Sequence, residues 1–325
     1  MRPAGTVLIT TPELAGAADA LLKEAGLRPF YVPKGTTGQD LPDLARAAQA
    51  GHGPVVAVIS RSLRLGSDII GALPDLRIIS KHGAGVDNID TLAAAAAGIC
   101  VTRTSGSNAR SVAEHALALI LAAARHLVPL ATSTAAGDWE RARWRGEQLG
   151  GKVLGLVGFG QIGRELAAMG RVVCGTVLVH DPFADADGIR AAGAEPVTLA
   201  TLRARADIVS LHCPLTEETR SLVDAPFLAA MRPGAMLVNT ARGEIVDEAA
   251  LLAALESGHI SAAGLDSLCD ETPGHSALRH HPRAVITPHV GGSTRQAMEI
   301  VAERAAGTIV DFLAGKPVRP ADRVC

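Results

Sequence analysis

Aromatic side chains are scarce in this chain, and cysteines are few and scattered. Phenylalanine, tryptophan and tyrosine make up 2% of the 325 residues, so we expect an aliphatic core in which small side chains let helices approach closely. The five cysteines form no C-x-x-C pair, and their odd number argues against a closed disulfide framework. This cysteine usage is typical of a reducing compartment, and we therefore expect a cytoplasmic protein.

The chain also lacks an excess of either charge and lacks a long apolar run. A formal net charge of -2 provides no basic field for phosphate backbones, which disfavours a nucleic-acid partner. Residues 1–11 lack the apolar core of a secretory signal, and the run ALALILAAA at 116–124 is too short to cross a bilayer. The histidines and cysteines show no metal-ligand spacing. We therefore expect neither a membrane partner nor a bound metal.

What the sequence does contain is a regular alternation of strand-like and helix-like segments. Strand-like runs occur at 6–11, 55–60, 76–80 and 99–104, and six more follow from residue 153 onward: VLGLVG, TVLVHD, DIVSLHC, AMLVNTA, AAGLD and AVITPH. Their alternation with helices predicts parallel sheets joined by right-handed crossovers. The predicted fold class is therefore α/β with two doubly wound parallel-sheet domains, and six strands are enough for a complete Rossmann sheet.

The second series of strands lies in the middle of the chain, which predicts an inserted domain. We expect a Rossmann domain for dinucleotide binding over 105–289 and a flavodoxin-like substrate domain formed by 1–104 and 290–325. A helix near 293–314 would return the chain to the first domain. Because the chain ends soon after this helix, we expect no appended regulatory domain.

The segment 153–181 carries a glycine motif between a strand and a helix. Gly158, Gly160 and Gly163 form G-x-G-x-x-G directly after the apolar run VLGLV. In this motif the first glycine permits a tight turn, the second lets the backbone approach a pyrophosphate, and the third lets helix and strand pack closely. Unpaired amides at the helix N-terminus then stabilise the phosphates. The sequence thus predicts a dinucleotide site.

The identity of the dinucleotide is indicated by Asp181, which closes the next strand, TVLVHD. A carboxylate at this place can accept hydrogen bonds from both ribose hydroxyls and would repel a 2'-phosphate. The residues that follow, Pro182 to Ala184, offer no arginine to bind such a phosphate. We therefore predict that the cofactor is NAD and not NADP.

Two further residues stand at the carboxyl ends of predicted strands, where ligands bind in such folds. Arg242 follows AMLVNTA, and its fork suits bidentate contact with a carboxylate. His289 ends VITPH, before a Gly-Gly pair, and an imidazole can give a proton to an oxyanion and take it back. A carboxylate on its other ring nitrogen would stabilise the imidazolium. Glu271 and Asp270 lie in the same loop, and charge alone does not decide between them.

A candidate substrate-binding turn lies in the first predicted domain. In KHGAGVDNID at 81–90, the backbone amides of a glycine-spaced turn are suited to binding a carboxylate. Lys81 and Arg61, each near the end of a predicted strand, are candidates for a second anion site, although lone surface cations are commonly just solvated. If both contact the substrate, it carries a second negative group such as a phosphate. If neither does, a small acid such as glyoxylate or hydroxypyruvate is favoured.

Several motifs together resemble the D-isomer-specific 2-hydroxyacid dehydrogenases, and most closely their phosphoglycerate dehydrogenase and hydroxypyruvate reductase branch. These motifs are V-x-G-x-G-x-I-G, H-x-P-L-T, N-T-A-R-G, L-D at 265–266 and T-P-H-V-G-G-S-T, and the similarity runs in order from about residue 55 to 300. The resemblance implies a catalytic set of Arg242, Glu271 and His289, which favours Glu271 over Asp270. The chain departs from the family pattern D-V-F-E-x-E-P, since it reads D-S-L-C-D-E-T-P.

The resemblance also implies the remaining site residues and a partner. The implied substrate carboxylate site combines Arg242 with Gly83, Ala84 and Gly85. The helix at 111–126 lies at a dimer interface in the family, so a homodimer is expected, although an ordinary buried helix fits its periodicity equally well. The cofactor contacts implied beside the glycine motif, Arg242 and His289 are Gln161 and Ile162 at the pyrophosphate, His212, Cys213 and Pro214 at the adenosine, and Thr240, Ala241, Asp266, Gly291 and Gly292 at the nicotinamide and its ribose.

These features favour an NAD-dependent enzyme that interconverts a D-2-hydroxy acid and its 2-keto acid. The main alternative is a non-catalytic NAD-sensing protein, like the corepressors built on this fold, because fold alone does not decide function. A formate or phosphonate dehydrogenase on the same scaffold is a weaker alternative, since formate oxidation needs no acid-base histidine. Turnover of a keto acid would separate the first two hypotheses.

Overall fold

The structure is a computed structural model, and it describes residues 5–139, 145–272 and 274–325. The chain divides into two compact units. Unit 1 comprises Met1–Asn108 and Ser293–Cys325, and unit 2 comprises Ala109–Gly292.

Unit 1 contains a five-stranded parallel sheet with the order β2-β1-β3-β4-β5. This is the strand order of flavodoxin-like folds, in which the chain crosses from one side of β1 to the other after β2. Its elements up to residue 108 are β1 Gly5–Ile9, α1 Ala18–Glu24, β2 Leu27–Tyr31, α2 Leu41–His52, β3 Val55–Ser60, α3 Ser67–Gly71, β4 Ile78–Lys81, α4 Thr91–Ala96 and β5 Cys100–Thr102.

Unit 2 contains a seven-stranded parallel sheet with the order β12-β11-β10-β9-β6-β7-β8. Since β6 pairs with both β7 and β9, the strand order reverses beside β6, and ligands bind at such a reversal in open α/β sheets. Its elements are α5 Ala109–Ala124, α6 Leu127–Ala135, β6 Val153–Val157, α7 Gln161–Val173, β7 Thr176–His180, α8 Ala186–Ala191, β8 Glu195–Pro196, α9 Leu199–Arg205, β9 Ile208–Leu211, α10 Ala225–Ala229, β10 Ala235–Asn239, α11 Glu248–Glu256, β11 Ile260–Leu265 and β12 Ala284–Ile286.

The last helix, α12 Arg295–Leu313, belongs to unit 1. It buries Ala302, Ala305 and Ile309 in the same cluster as strand residues such as Ile9 and Ile59. The small alanine side chains let this helix lie close to the sheet.

Both faces of the unit 2 sheet are covered, because side chains alternate along each strand. On β10, Met236 and Val238 pack in a cluster with α5 and α7, whereas Leu237 packs in a second cluster with α9, α10 and α11. The two fully buried large aromatic side chains among the described residues, Phe159 and Phe227, lie one in each cluster. The core is therefore mainly aliphatic.

The fold class predicted from the sequence is confirmed, but the strand count was wrong in both sheets. Strand β8 has two residues, Glu195 and Pro196, so it is too short and too polar to give a periodic signal. Strand β2 reads LRPFY, and its proline conceals it. Both are edge strands, where proline is tolerated because no neighbour needs its missing N–H.

No single helix in the described part of the chain is long and apolar enough to cross a membrane. Helices α5 and α6 satisfy length and composition only as a pair, and they are bent by 66° where they meet.

Candidate active site

The glycine motif forms the turn between β6 and α7, and two of its glycines are required by the protein's own packing. A Cβ at Gly158 would lie 2.7 Å from the backbone of His212, and Gly158 has φ +100°, which other residues rarely adopt. A Cβ at Gly163 would lie 2.4 Å from the carbonyl oxygen of Gly158. These contacts bring the turn, the helix and β9 close together.

The middle glycine of the motif has a different explanation. Gly160 has φ -69° and ψ -160°, which any residue can adopt, and no protein atom lies within 4 Å of the position of a Cβ there. The open space in front of Gly160 therefore fits the close approach of a pyrophosphate. The 13-residue helix α7 begins at the next residue, Gln161, and its N-cap provides no side-chain hydrogen bond to the first-turn amides. Ile162 is half-buried against the core, so it anchors this turn.

Asp181 lies beside this turn, at the end of β7. Its Oδ2 accepts a hydrogen bond of 2.7 Å from the amide of Phe159 in the glycine motif, and its Oδ1 accepts one of 2.8 Å from the amide of Phe183. Because each carboxylate oxygen has a second acceptor site, both can still bind ribose hydroxyls. The hydrogen bond to Phe159 was not predicted from the sequence, and it ties Asp181, the predicted ribose ligand, to the glycine turn.

Replacing Asp181 with alanine is expected to narrow the preference for NADH over NADPH by about 10- to 100-fold, since the repulsion of a phosphate near the surface amounts to ~1–3 kcal/mol. The measurement is the ratio of the two dissociation constants. Asp181→Asn separates charge from shape, because it can still accept from the Phe159 amide. Asp187→Ala, at an exposed aspartate nearby, is the control. An unchanged ratio in both Asp181 variants would remove Asp181 from cofactor selection.

His212, Cys213 and Pro214 follow β9, at the strand-order reversal. His212 is half-buried, and burial of its ring lowers the pKa to about 4, so the ring is neutral near pH 7. Its Nε2 lies 2.9 Å from Ser210 Oγ, while its Nδ1 is buried with no hydrogen-bond partner among the described residues. Burial also raises the pKa of the Cys213 thiol to about 11. The backbone of this segment supports the glycine turn directly.

Arg242 follows β10 and is placed by the side chain of Asn239. The Asn239 amide group donates to the carbonyl of Arg242 at 2.7 Å and accepts from the amide of Ala241 at 2.9 Å. Arg242 is half-buried, and its Nη1 donates to the Ala241 carbonyl at 2.7 Å. A Cβ on Gly243 would lie 2.0 Å from the carbonyl carbon of Leu268, so the chain leaving β11 packs directly on the segment that carries Arg242. Asn239 was missed, although a polar side chain ending an apolar strand is a detectable signal.

Thr240 lies between Asn239 and Ala241 at the carboxyl end of β10. Its Oγ1 is buried and has no hydrogen-bond partner among the described residues. A buried hydroxyl without a partner is costly, so this group is suited to a ligand that completes its bonding. The orphaned hydroxyl, together with the open space at Gly160, fits a bound dinucleotide.

His289 and Glu271 form a close pair. His289 Nδ1 lies 2.8 Å from Glu271 Oε1, and the two side chains are about half exposed. The competing carboxylate is engaged elsewhere, because Asp270 accepts from the amide of Thr272 at 2.8 Å and contacts His275 Nδ1 at 2.7 Å. Hydrogen bonds to Thr272 and then to His275 lower the pKa of Asp270 to about 2. Of the two candidates left open by charge, the structure brings Glu271 to His289.

The turn that carries His289 is held by Asp266, at the end of β11. This carboxylate is 3% exposed and accepts hydrogen bonds from Thr287 Oγ1 at 2.6 Å, from the Val290 amide at 2.9 Å and from the Gly291 amide at 2.7 Å. His289 itself has φ 54°, an uncommon conformation that persists only when the surroundings fix it. Asp266 therefore orients the turn of the candidate acid-base residue, His289. Gly291 and half-buried Gly292 lie in the same turn, and the cofactor contacts predicted for them and for Asp266 stay predictions.

His115 on α5 completes this network and was not predicted from the sequence. Its Nε2 lies 2.8 Å from Thr287 Oγ1 and 3.3 Å from Asp266 Oδ1. The signal was a lone histidine among the alanines and leucines of α5. Contacts of this kind join residues far apart in the sequence, so periodicity alone does not reveal them.

In unit 1, the turn after β4 has fewer available amides than the sequence suggested. The amide of Gly83 donates to Thr104 Oγ1 at 3.0 Å, which corrects the expectation that it is free for a ligand. The amides of Ala84 and Gly85 have no acceptor among the residues that the structure describes. The Thr104 hydroxyl can reach the amide of Gly83 because β5, which precedes Thr104, lies next to β4 in the sheet.

The two cations near this turn differ in their surroundings. Lys81 is 8% exposed, and its ammonium donates to the carbonyl of Arg61 and to Asn88 Oδ1. The Arg61 side chain is half-buried, with Nη2 3.8 Å from Met298 Sδ. Burial, and then the charge of Arg61, lower the pKa of neighbouring His82 to about 4. Lys81 thus braces the backbone of Arg61, which weakens its case as an anion ligand.

Within the described residues, no group of three histidine, cysteine, aspartate or glutamate side chains is arranged to hold a metal ion.

The sequence and the fold place the chain in a known family. The family model described as D-isomer specific 2-hydroxyacid dehydrogenase, NAD binding domain, matches residues 117–291. The chain therefore belongs to the D-isomer-specific 2-hydroxyacid dehydrogenase family, as predicted, and the matched part of unit 2 is an NAD-binding domain. The family acts on small hydroxy and keto acids.

Individual relatives agree with this placement. The chain is 37% identical over 264 residues to D-3-phosphoglycerate dehydrogenase of Bacillus subtilis (strain 168), covering 81% of this chain and 50% of that protein. It is similar to the crystal structure of TT0316 protein from Thermus thermophilus, with TM-score 0.87, 34% identity and coverage of 98% and 100% of the two chains. A glyoxylate reductase from Paecilomyes thermophila gives TM-score 0.86, 28% identity and coverage of 99% and 98%. The chain spans about half the length of the curated relatives it matches.

Proposed function

We propose that this protein is an NAD-dependent dehydrogenase that interconverts a D-2-hydroxy acid and its 2-keto acid. The observation that carries the proposal is the pair of His289 and Glu271, 2.8 Å apart, in the unit that contains the NAD-binding domain. An NAD-sensing protein without a reaction has no need of an imidazole oriented by a carboxylate. In this assignment unit 2 is the cofactor domain and unit 1 the substrate domain.

The residues act on the substrate as follows. NAD, when bound, supplies the acceptor for hydride. In oxidation, His289 Nε2 takes the hydroxyl proton as the C–H hydride leaves the same carbon and the C=O bond forms; in reduction it returns the proton to the oxygen. Glu271 on Nδ1 fixes the tautomer and stabilises the imidazolium. Arg242 binds the carboxylate of the substrate with its fork, which orients the reacting carbon.

The substrate is proposed to be of the 3-phosphoglycerate or the glyoxylate and hydroxypyruvate type. In unit 1, the amides of Ala84 and Gly85 are the proposed donors to its acid group. The name of the Bacillus subtilis relative supports the phosphorylated acid, whereas the Paecilomyes thermophila structure supports a small acid. The Lys81 ammonium donates to the Arg61 carbonyl and to Asn88, which weakens its case as a phosphate ligand. Of the two candidate cations, Arg61 then stays as the proposed phosphate ligand, and this also favours a small acid.

The test is NADH oxidation by the purified chain at neutral pH with glyoxylate, hydroxypyruvate, pyruvate and phosphohydroxypyruvate in parallel, together with NADH binding by fluorescence. Preference for phosphohydroxypyruvate that Arg61→Ala abolishes would assign a phosphate site at Arg61. Preference for a small acid, unaffected by Arg61→Ala, would assign a glyoxylate or hydroxypyruvate reductase. NADH binding without turnover of any of the acids would contradict the dehydrogenase and favour the NAD-sensing alternative.

We further propose that the protein is a cytoplasmic homodimer that needs neither nucleic acid nor membrane as partner. Six residues of α5 pack in the core of unit 2, so this helix has less free surface than the sequence suggested. The apolar helix α6 instead buries none of its side chains, and Leu127 and Val128 are 52% and 49% exposed. A second copy would cover this surface. Sedimentation equilibrium checks the dimer, and a monomer at micromolar concentration would contradict it.

A further inference from the structure

The loop that carries Glu271, between Leu268 and Ser276, has exposed side chains that, in its described residues, form no packed core of their own. From Cys269 to His275 all described residues are exposed, whereas Leu268 before the loop and Ser276 after it are each 6% exposed. Glu271 has His289 as its hydrogen-bond partner among the described residues. Packing therefore does not place Glu271, and its position depends on how the two ends of the loop are held.

Both ends are held by one side chain, that of Glu248. Its Oε1 accepts from the amide of Cys269 at 2.7 Å, and its Oε2 accepts from Ser276 Oγ at 2.6 Å. Hydrogen bonds to a carboxylate are stronger than those between neutral groups. The negative charge is close enough to act with burial in raising the pKa of the Cys269 thiol to about 11. Glu248 thus links the two ends of the loop to each other.

Glu248 also connects this loop to the segment that carries Arg242. It is the first residue of α11, which follows the short 3-10 turn Gly243–Ile245 directly after Arg242. At Gly243 the same segment touches the backbone of Leu268 and Cys269. The carbonyl of Val246 accepts from Cys269 Sγ at 3.6 Å. The chain from 242 to 248 therefore contacts the loop and its ends through Gly243, Val246 and Glu248.

We propose that Glu248 is a positioning residue that holds Cys269 and Ser276, at the two ends of the loop, so that Glu271 reaches His289 Nδ1. This inference rests on the proposed function and adds a residue to it. Asp270, Thr272 and His275 stiffen the loop from within, but their bonds do not fix it to the rest of unit 2. Glu248 does, and so it acts on the reaction through Glu271 without touching the substrate.

The test compares Glu248→Ala, Glu248→Gln, Glu271→Gln and the double variant Glu248→Ala with Glu271→Gln. Glu248→Ala is expected to lower kcat for keto-acid reduction on the order of tenfold or more, because a small misplacement of a catalytic group is costly. Its KM for the keto acid should change little, as in Glu271→Gln, because neither residue binds the substrate in the proposed reaction. Glu248→Gln can still accept from Cys269 and donate to Ser276, so it should restore most of the rate. The double variant should be no slower than Glu271→Gln.

Glu256→Ala, at the exposed far end of α11, is the matched control and should leave kcat and KM unchanged. If Glu248→Ala does not fold, Ser276→Ala removes one of the two hydrogen bonds and should also lower kcat with little change in KM. A kcat of Glu248→Ala or Ser276→Ala that matches that of the unmodified protein would overturn the proposal, and so would effects of Glu248→Ala and Glu271→Gln that multiply in the double variant.

Amide hydrogen exchange gives a readout that does not depend on turnover. The Cys269 amide should exchange faster in Glu248→Ala than in Glu256→Ala, because its acceptor is gone. If the unmodified protein turns over none of the four acids, the proposed function fails, and the exchange rates still decide whether Glu248 holds the loop. Unchanged exchange would show that it does not.

Discussion

Replacing His289 with alanine is expected to lower turnover of the keto acid by about 10²–10⁴-fold, the usual contribution of a general acid or base. The imidazole is held at Nδ1 by Glu271 at 2.8 Å, which directs the other ring nitrogen to the substrate oxygen in the proposed reaction. Affinity for NADH should be retained, because the proposed phosphate and ribose contacts lie at the ends of β6 and β7. The measurements are the single-turnover rate of NADH oxidation and the dissociation constant of NADH.

His280→Ala is the control for this prediction, since His280 is an exposed histidine in the same stretch of the chain. Its rate should equal that of the unmodified protein. A His289→Ala variant that keeps nearly full activity would remove His289 from the mechanism. If that variant instead lost NADH binding along with its rate, His289 would have to be reassigned from proton transfer to the cofactor site.

The parts of this site that the sequence predicted have a common physical origin. Gly158, Arg242 and His289 each follow an apolar strand, and the carboxyl ends of parallel strands meet at one edge of a sheet. Finding the strands was therefore enough to predict that these residues are near one another in unit 2. The same argument predicted the two-sheet α/β fold but not its edge strands, since β2 is hidden by its proline and β8 has two residues.

The parts that were missed depend on contacts between distant segments. Asn239 fixes the backbone of Arg242, His115 joins the Asp266 network from another helix, and Glu248 reaches across to Cys269 and Ser276. No local pattern encodes such pairs. The same limit explains why charge alone left Asp270 and Glu271 undecided, since the structure shows Asp270 engaged by Thr272 and His275 and Glu271 beside His289.

Arg242→Ala is expected to lower kcat/KM for the keto acid by about 30- to 5,000-fold, corresponding to the ~2–5 kcal/mol that truncation of a hydrogen-bonded charge pair costs. The half-buried guanidinium stands at the end of β10, with its backbone fixed by Asn239, so the loss removes an oriented fork and not just a charge. Both substrate affinity and the chemical rate should fall, because the fork also orients the reacting carbon. Steady-state kinetics with the preferred acid measures both.

Arg242→Lys separates charge from geometry, because it keeps the cation and loses the two parallel donors. If Arg242 binds the carboxylate bidentately, the lysine variant should recover only a small part of the loss, and added guanidinium ion should partly restore the alanine variant but not the lysine variant. Arg220→Ala, at an exposed arginine of unit 2, should behave as the unmodified protein. If the Arg242→Lys variant has the same kinetics as the unmodified protein, Arg242 acts only as a positive charge. The orientation of the keto acid would then have to come from other donors.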